Sequence, residues 1–311
     1  MPVLRLLAAF ALLLSLAAVA QTSPASDLNV PPGRIRIPVL VTDKEGKPIA
    51  GLHAEDFKVL DNGKPASIAE FLAFSTASPV PARLTVFYFD DRRLNMDEMN
   101  SARQAVAAAL PAALDSNGYV AIVTGTGSVN GGFSRDPVQL RQTLASIYAN
   151  AFAASRTGAH NFDQPGTYNS LADYAAWMSK FPGRRLLVLL SPGFDSSNLD
   201  EIRAAAAAAI GQIVQSGVVL NVLNTQNPAS ESYSQDITVL EELSNATGGT
   251  LFRDSSAPTT LSQYPEILYL IDIPLSTIHA DGSSHQLKIE VSRHGSRLRS
   301  RKSFVAPRPT K

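Results

Sequence analysis

The chain has 311 residues, with 27 Lys+Arg against 27 Asp+Glu and a formal net charge of zero. That balance excludes the basic excess of a general nucleic-acid binder. Apolar residues make up 45% and charged residues 17%, enough to bury a core and too apolar for disorder. There is no cysteine, so disulfides, thiolate nucleophiles, zinc–thiolate sites and iron–sulfur clusters are excluded.

Arg5 is the only charge before Gln21, the run Leu6 to Leu16 is apolar apart from Ser15, and Ala18-Val19-Ala20 follows. This is the order of a secretory signal peptide, cleaved after Ala20, and it is shorter than the about 20 apolar residues of a spanning helix. No later segment is apolar over 18 residues. The expected location is therefore secreted or periplasmic, in the cell envelope, with no transmembrane segment in the mature protein; the alternative is an uncleaved N-terminal anchor. Residues 21–33 hold Ser, Pro, Gly and Asn and read as a linker.

From Arg34 the pattern is β. Ile35, Ile37, Val39 and Val41 alternate, with Pro38 read as tolerated at a sheet edge. Asp43 to Pro48 is a turn, Phe57 to Leu60 a short strand, and Asn62-Gly63 a hairpin signal because both residues accept positive φ. Ser67 to Phe74 reads as the return strand. The segment 34–78 is too small a β unit to stand alone. Leu84 to Phe89 is a nearly continuous apolar run that ends in Asp90-Asp91, and such a strand is buried on both faces, as in the middle of a parallel sheet. Helical spacing follows over 97–114, then a strand from Tyr119 to Val123. Helices are expected over 137–149, with Asp136 as N-cap before Pro137, and over 168–180. Leu186 to Leu190 is a second buried strand, 199–215 an Ala-rich helix, Val218 to Leu223 a strand, 236–246 a helix ended by Gly248-Gly249, and Thr250 to Phe252 a last strand. Strands alternating with helices over 82–263 predict an α/β fold with a doubly wound, mostly parallel sheet. From 264 to 311 strands return without helices, at Ile267–Ile273, Gln286–Ser292 and Arg297–Val305. Neither flanking β segment makes a core by itself, so the two are expected to pair as one small antiparallel module.

Several chemical motifs fail. Gly125-Thr126-Gly127-Ser128-Val129-Asn130-Gly131 has Asn130 where a dinucleotide loop needs its third glycine, and follows the second strand of the α/β region; it reads as a flexible loop. There is no phosphate-binding G-x-x-x-x-G-K-[ST] and no G-x-S-x-G nucleophile elbow. The five histidines show no metal or triad spacing. His53 and His285 read as surface residues, and His160 with Asp163 lies in a long polar loop. Arg293, Arg297, Arg299, Arg301 and Lys302 alternate near the end of the chain, as charges that protect a sheet edge or meet an anionic partner. Trp177 sits in a helix and reads as core.

Taken together, these stretches resemble the von Willebrand factor A-related domain family of acidobacteria. Val41-Thr42-Asp43-Lys44-Glu45-Gly46-Lys47-Pro48, Gly51-Leu52-His53-Ala54-Glu55-Asp56-Phe57 and Asp61-Asn62-Gly63-Lys64 are similar to its opening segment. Phe89-Asp90-Asp91 with Ala102-Arg103-Gln104-Ala105 resembles its first strand and helix. Gly132-Phe133-Ser134-Arg135-Asp136, Phe181-Pro182-Gly183-Arg184-Arg185, Leu190-Ser191-Pro192-Gly193-Phe194, Ala246-Thr247-Gly248-Gly249 and Arg297-Leu298-Arg299 follow in order. The resemblance implies a von Willebrand A-like, Rossmann-like core, export, and adhesive or protein–protein contact without known catalysis.

The same resemblance implies a Mg²⁺ or Mn²⁺ site above the carboxyl ends of the strands, built from a D-x-S-x-S loop, a Thr and a further Asp. Arg92 and Leu94 stand at the two Ser positions, Ser191 stands where the further Asp is expected, and Asp195 lies four residues on. Asp90 and Thr167 remain. No cofactor and no metal are expected; a residual Mg²⁺ site would use Asp90, Thr167 and Asp195. The expected ligand-binding face comprises Asp90, Asp91, Arg92, Arg93, Asn95, Ser134, Thr167, Ser191 and Asp195. The functional expectation is an exported binding protein, without catalytic residues, whose partner is a protein or an envelope polymer. The alternatives are an enzyme using the loops at the carboxyl ends of the strands, and a structural envelope component.

Overall fold

A computed structural model describes residues 28–77, 82–148, 164–193, 199–226, 237–253, 258–278 and 281–307. The N-terminal β segment gives β1 (Arg34–Thr42), β2 (Phe57–Asp61), β3 (Lys64–Ala66) and β4 (Glu70–Ser75). The α/β region gives β5 (Arg83–Phe89), α1 (Met96–Ala113), β6 (Gly118–Thr124), α2 (Pro137–Ala145), α3 (Gln164–Met178), β7 (Arg184–Ser191), α4 (Leu199–Gln215), β8 (Val218–Asn224), α5 (Thr238–Thr247) and β9 (Leu251–Phe252). The C-terminal segment adds β10 (Ile267–Pro274), β11 (Ser284–Val291), β12 (Arg297–Ser300) and β13 (Ser303–Val305). No helix among the described residues is long and apolar enough to cross a membrane.

Strands β5 to β9 form one parallel sheet in the order β6-β5-β7-β8-β9. Its apolar runs are continuous because alternate residues enter two different cores. Phe87, Phe89, Ile122, Val188 and Leu190 pack with Met99, Val106 and Leu110 of α1. Val86, Tyr88, Val123, Leu187 and Leu189 pack with Leu171, Ile210, Ile213 and Leu240 of α3, α4 and α5. Covering both faces of a parallel sheet is what defines the doubly wound arrangement. The helix starts follow local chemistry. Asn95 caps α1, accepting from Glu98 N while the Glu98 carboxylate accepts from Asn95 N, both at 2.9 Å. Asp136 caps α2 through Val138 N and Gln139 N.

The two terminal segments build one antiparallel β module of two four-stranded sheets, β12-β1-β10-β4 and β13-β11-β2-β3. Their facing sides enclose Ile37, Val39, Val41, Phe57, Val59, Tyr269, Ile271 and Leu287, with Phe57, Phe71 and Tyr269 in mutual ring contact at 5.5–5.7 Å. The other side of the first sheet, through Leu40, Leu268 and Leu270, joins the core beneath α1.

Several local expectations change. Asn62-Gly63 does turn the hairpin, at φ 47° and 78°, but the return strand is only β3. β4 leaves β2 and pairs with β10, Phe71 opposite Ile271, because Phe71 stacks on Tyr269 of that strand. Pro38 lies opposite Leu270 at the point where β12 stops covering β1, so the proline is edge-like on one side of an inner strand. His285 is buried, its Nδ1 2.8 Å from the Asp61 carboxylate and its ring stacked on Phe304 at 4.9 Å. Arg301 is buried too, donating to the Ser303 carbonyl, because the chain breaks its alternation between β12 and β13. Trp177 is half-buried in an aromatic group with Phe133, Tyr174 and Phe181. The end of the expected linker is also built in. Leu28 and Val30 are buried, and Val30 N donates to Gln215 O at 3.1 Å.

Arg36 and Asp272 sit opposite each other on β1 and β10, both buried. Arg36 Nε and Nη2 each donate to an Asp272 oxygen at 2.8 Å, and Nη1 donates to Leu28 O at 2.8 Å. Truncating one member of such a pair strands a buried charge, which costs about 3–5 kcal/mol. Arg36→Ala is therefore expected to lose that much in urea unfolding, and Arg36→Met/Asp272→Leu to recover most of it. A loss under about 1 kcal/mol for Arg36→Ala would show that the pair does not hold the module.

Candidate functional site

The carboxyl ends of the parallel strands carry a compact group of polar side chains. Asp90 follows β5, and its N donates to Leu190 O at 3.0 Å, so the parallel pairing continues one residue past the strand. The chain then folds over. Asp90 O accepts from Arg93 N and Leu94 N at 2.9 and 3.0 Å, which sends Leu94 into the core and tucks Arg93 under the loop.

The Asp90 carboxylate is completely buried. Ser191 Oγ donates to one oxygen at 2.8 Å, and Thr167 Oγ1 to the other at 3.4 Å. Arg93 Nε lies 3.9 Å from the oxygen that Ser191 holds. Gly193 N donates to Ser191 Oγ at 3.3 Å, which aims the serine proton at Asp90. Burial pushes the Asp90 carboxyl above its ordinary value, while Arg93, Ser191 and Thr167 pull it back.

Asp91 points the other way, into the turn after β6. It accepts from Thr126 N at 2.9 Å and from Thr126 Oγ1 at 2.5 Å, with Ser128 Oγ at 3.5 Å. Gly125 N donates to Phe89 O at 2.9 Å, and a Cβ at Gly125 would stand 2.8 Å from the Tyr88 hydroxyl. Only glycine lets the loop press this closely on β5. The stretch read as a flexible loop is thus a tight turn, and its far side runs back antiparallel along β6 through Val123–Asn130 and Val120–Ser134 bridges.

That return places Ser134 beside Val120, near the amino-terminal end of β6, so the structure does not bring it to this face. Its hydroxyl donates to Gln139 at 2.7 Å. Asp90, Arg93, Thr167 and Ser191 come together. Asp91 adjoins them through the Thr126 turn, Arg92 is half-buried between, and Asn95 is committed to its helix cap. Asp195, like His160 and Asp163, lies outside the described residues. Sequence reasoning missed Thr126 and Ser128, although hydroxyls just after a buried strand are the signal for this position. It also missed the end of β8, where Thr225 N donates to Ser191 O at 3.1 Å. There Asn224 Nδ2, Thr225 Oγ1 and Gln226 Oε1 are buried with no hydrogen-bond partner among the described residues. Among those residues no three His, Cys, Asp or Glu side chains are grouped to hold a metal ion.

No family model matches the chain, and no curated protein matches it. Solved structures do. An aerotolerance-related membrane protein from Bacteroides fragilis is 14% identical, with a TM-score of 0.39 over 58% of this chain and 94% of that one. The open conformation of the pilus adhesin SpaC from Lactobacillus rhamnosus is 8% identical, with a TM-score of 0.42 over 81% of this chain and 48% of that one. A manganese-loaded TRAP protein from Plasmodium vivax is 9% identical, with a TM-score of 0.35 over 76% of this chain and 98% of that one. None of these likenesses assigns a role to a residue of this chain.

The raised Asp90 pKa gives a pH dependence with a definite sign. The folded state binds the Asp90 proton more tightly than the unfolded state, so this group's contribution to stability falls as pH rises from about 4 through its folded value. Asp90→Asn removes that dependence. In urea unfolding, wild-type stability relative to Asp90→Asn should decline from pH 4 towards neutrality; a difference that grows with pH would contradict the assignment.

Proposed function

We propose that this chain is an exported, von Willebrand A-like binding protein of the cell envelope that contacts a protein partner through the loops at the carboxyl ends of its parallel strands, without a divalent cation. The supporting observation is the position of Arg93. Its guanidinium is buried beside the Asp90 carboxylate, whose two oxygens already accept from Ser191 and Thr167. Asp91 is turned away into the Thr126 turn, Leu94 is in the core, and Ser191 supplies a hydroxyl where a carboxylate would be needed. Among the described residues this donor set supplies few of the near-octahedral oxygen ligands that Mg²⁺ takes. A guanidinium about 5 Å from a divalent ion adds roughly 6 kcal/mol of repulsion at an effective dielectric near 20.

What the face offers is hydroxyl and amide chemistry around the turn at Thr126 and Ser128 and the end of β8, suited to hydrogen bonding with a partner's backbone and side chains. The hydroxyls that meet carboxylates there, Ser191 on Asp90 and Thr126 on Asp91, hold the loops in place, and no histidine joins them among the described residues.

Two measurements check the reading. Thermal unfolding in millimolar Mg²⁺ or Mn²⁺ should match that in EDTA; a ligand at about 100 times its dissociation constant would add roughly 2.7 kcal/mol, and such a gain, lost in Asp90→Ala, would contradict the proposal. Capture of an envelope protein should persist in EDTA and fail with Ser128→Arg, whose side chain is exposed. Capture that needs the metal would contradict the cation-free contact, and capture that ignores Ser128→Arg would place the contact elsewhere.

A further inference from the structure

A second concave site lies in the seam between the β module and the α/β unit, remote from the Asp90 group. It is a cleft of about 350 Å³, within the range of small-ligand sites, which favour such junctions. One wall is the sheet β12-β1-β10-β4; the other is Thr250 and Phe252 at the edge of the parallel sheet, with Tyr264.

The register fixes which side chains share the sheet wall. Leu40 of β1 lies opposite Arg299 of β12, and residues directly opposite point to the same side. Leu40 and Leu268 both face the core of the α/β unit, and Glu266 sits in the bend just before β10 with its side chain exposed. Arg299 and Glu266 both line the cleft from the strands on either side of β1. Arg299 is level with Leu40 and Glu266 with Thr42, so their backbones are two inter-strand spacings apart across the sheet and two residues apart along it, roughly 12 Å. Leu40 and Thr42 form the floor between them.

Among the described residues, neither charge has a counter-ion. Arg299 donates to Asn245 Oδ1 at 3.4 Å, a neutral partner, and neither Arg299 nor Glu266 joins an ion pair among the described residues. Partial burial of Arg299 holds its pKa below the ordinary arginine value, as expected of a cation crowded by protein and not matched by a carboxylate. Glu266 has its side chain exposed at the other end, while its backbone carbonyl accepts from Thr76 N.

A cation and an anion at opposite ends of a cleft, with Leu40 and Phe252 between them, are complementary to a ligand with the reverse charges and an apolar middle. We propose that this cleft binds a zwitterionic ligand of dipeptide size, its carboxylate on Arg299 and its ammonium on Glu266. An extended dipeptide spans about 7 Å, which leaves room for both side chains to reach inward from a backbone separation of roughly 12 Å. Guanidinium to carboxylate is the stronger, bidentate contact, so Arg299 carries more of the affinity. This proposal does not rest on the reading of the Asp90 face.

The test is isothermal titration of the full chain with alanyl-leucine, N-acetyl-alanyl-leucine and alanyl-leucinamide, on wild type, Arg299→Gln and Glu266→Gln. Wild type should bind the free dipeptide saturably. Each blocked ligand and each variant should bind at least about ten-fold more weakly, the tenfold corresponding to 1.4 kcal/mol. The crossed pattern is decisive: Glu266→Gln should not further weaken the acetylated ligand, nor Arg299→Gln the amide. Glutamine keeps the length of the Glu266 side chain and neither residue is in a hydrophobic core, so thermal unfolding of the variants should match wild type, which separates lost binding from lost folding. Absence of saturable binding to wild type at ligand concentrations well above about 1 mM, or binding that neither variant changes, would overturn the proposal.

Discussion

A carboxylate with no exposed surface has to find its compensating charge and hydrogen bonds inside the protein, and Asp90 is such a group. Unpaired, its burial would cost several kcal/mol. The surrounding architecture is arranged around that requirement. Strand β7 brings Ser191 level with Asp90 across the parallel ladder, α3 opens with Thr167 over it, and the turn after β5 folds Arg93 back towards it. The same turn buries Leu94 and starts α1 at its Asn95 cap, so the path of the first βα connection and the neutralisation of Asp90 are one event. Its neighbour Asp91 is spent on the Thr126 turn. Among the described residues the face that results presents hydroxyls, amides and backbone, its two carboxylates Asp90 and Asp91 being buried.

The β module solves a different problem with similar chemistry. Its two central strands, β1 and β10, are separated by the entire α/β region and are joined by the buried Arg36–Asp272 pair. Because Arg36 also holds the Leu28 carbonyl, and a Cβ on Gly217 would meet that same carbonyl at 2.3 Å, the N-terminal strand enters at the amino-terminal end of β8. Arg185, fully buried at the start of β7, completes this lower seam by donating to Asn29, Ser216 and the carbonyls that end α3. The chain thus enters at one pole of the parallel sheet while the Asp90 group occupies the other.

Much of this was legible in the sequence, for identifiable reasons. The runs Leu84–Phe89 and Leu186–Leu190 announced buried parallel strands because both their faces are covered, and Asn62-Gly63 announced its turn because few residues accept both positive φ values. What escaped was set by distant partners. The departure of β4 to β10 depends on Tyr269, nearly 200 residues from Phe71. His285 looked like a surface residue because neither Asp61 nor Phe304 is near it in the chain. Arg301 continued an exposed alternation in sequence but falls where the backbone breaks between two strands. At the site, Arg92 and Leu94 were readable as standing at the two expected hydroxyl positions. That Arg93, between them, turns inward to Asp90 was not, since the turn geometry decides it.

The central claim is that Arg93 neutralises Asp90 inside the fold. A double-mutant cycle on Asp90→Asn and Arg93→Met, read by urea unfolding at neutral pH, measures that interaction with least interference from the rest of the α/β unit. The account predicts that each single variant is destabilised, that the double variant is more stable than their sum, and that the coupling is about 2 kcal/mol. Additive effects, with coupling near zero, would show that Arg93 does not serve Asp90 and would remove the physical basis for a cation-free face.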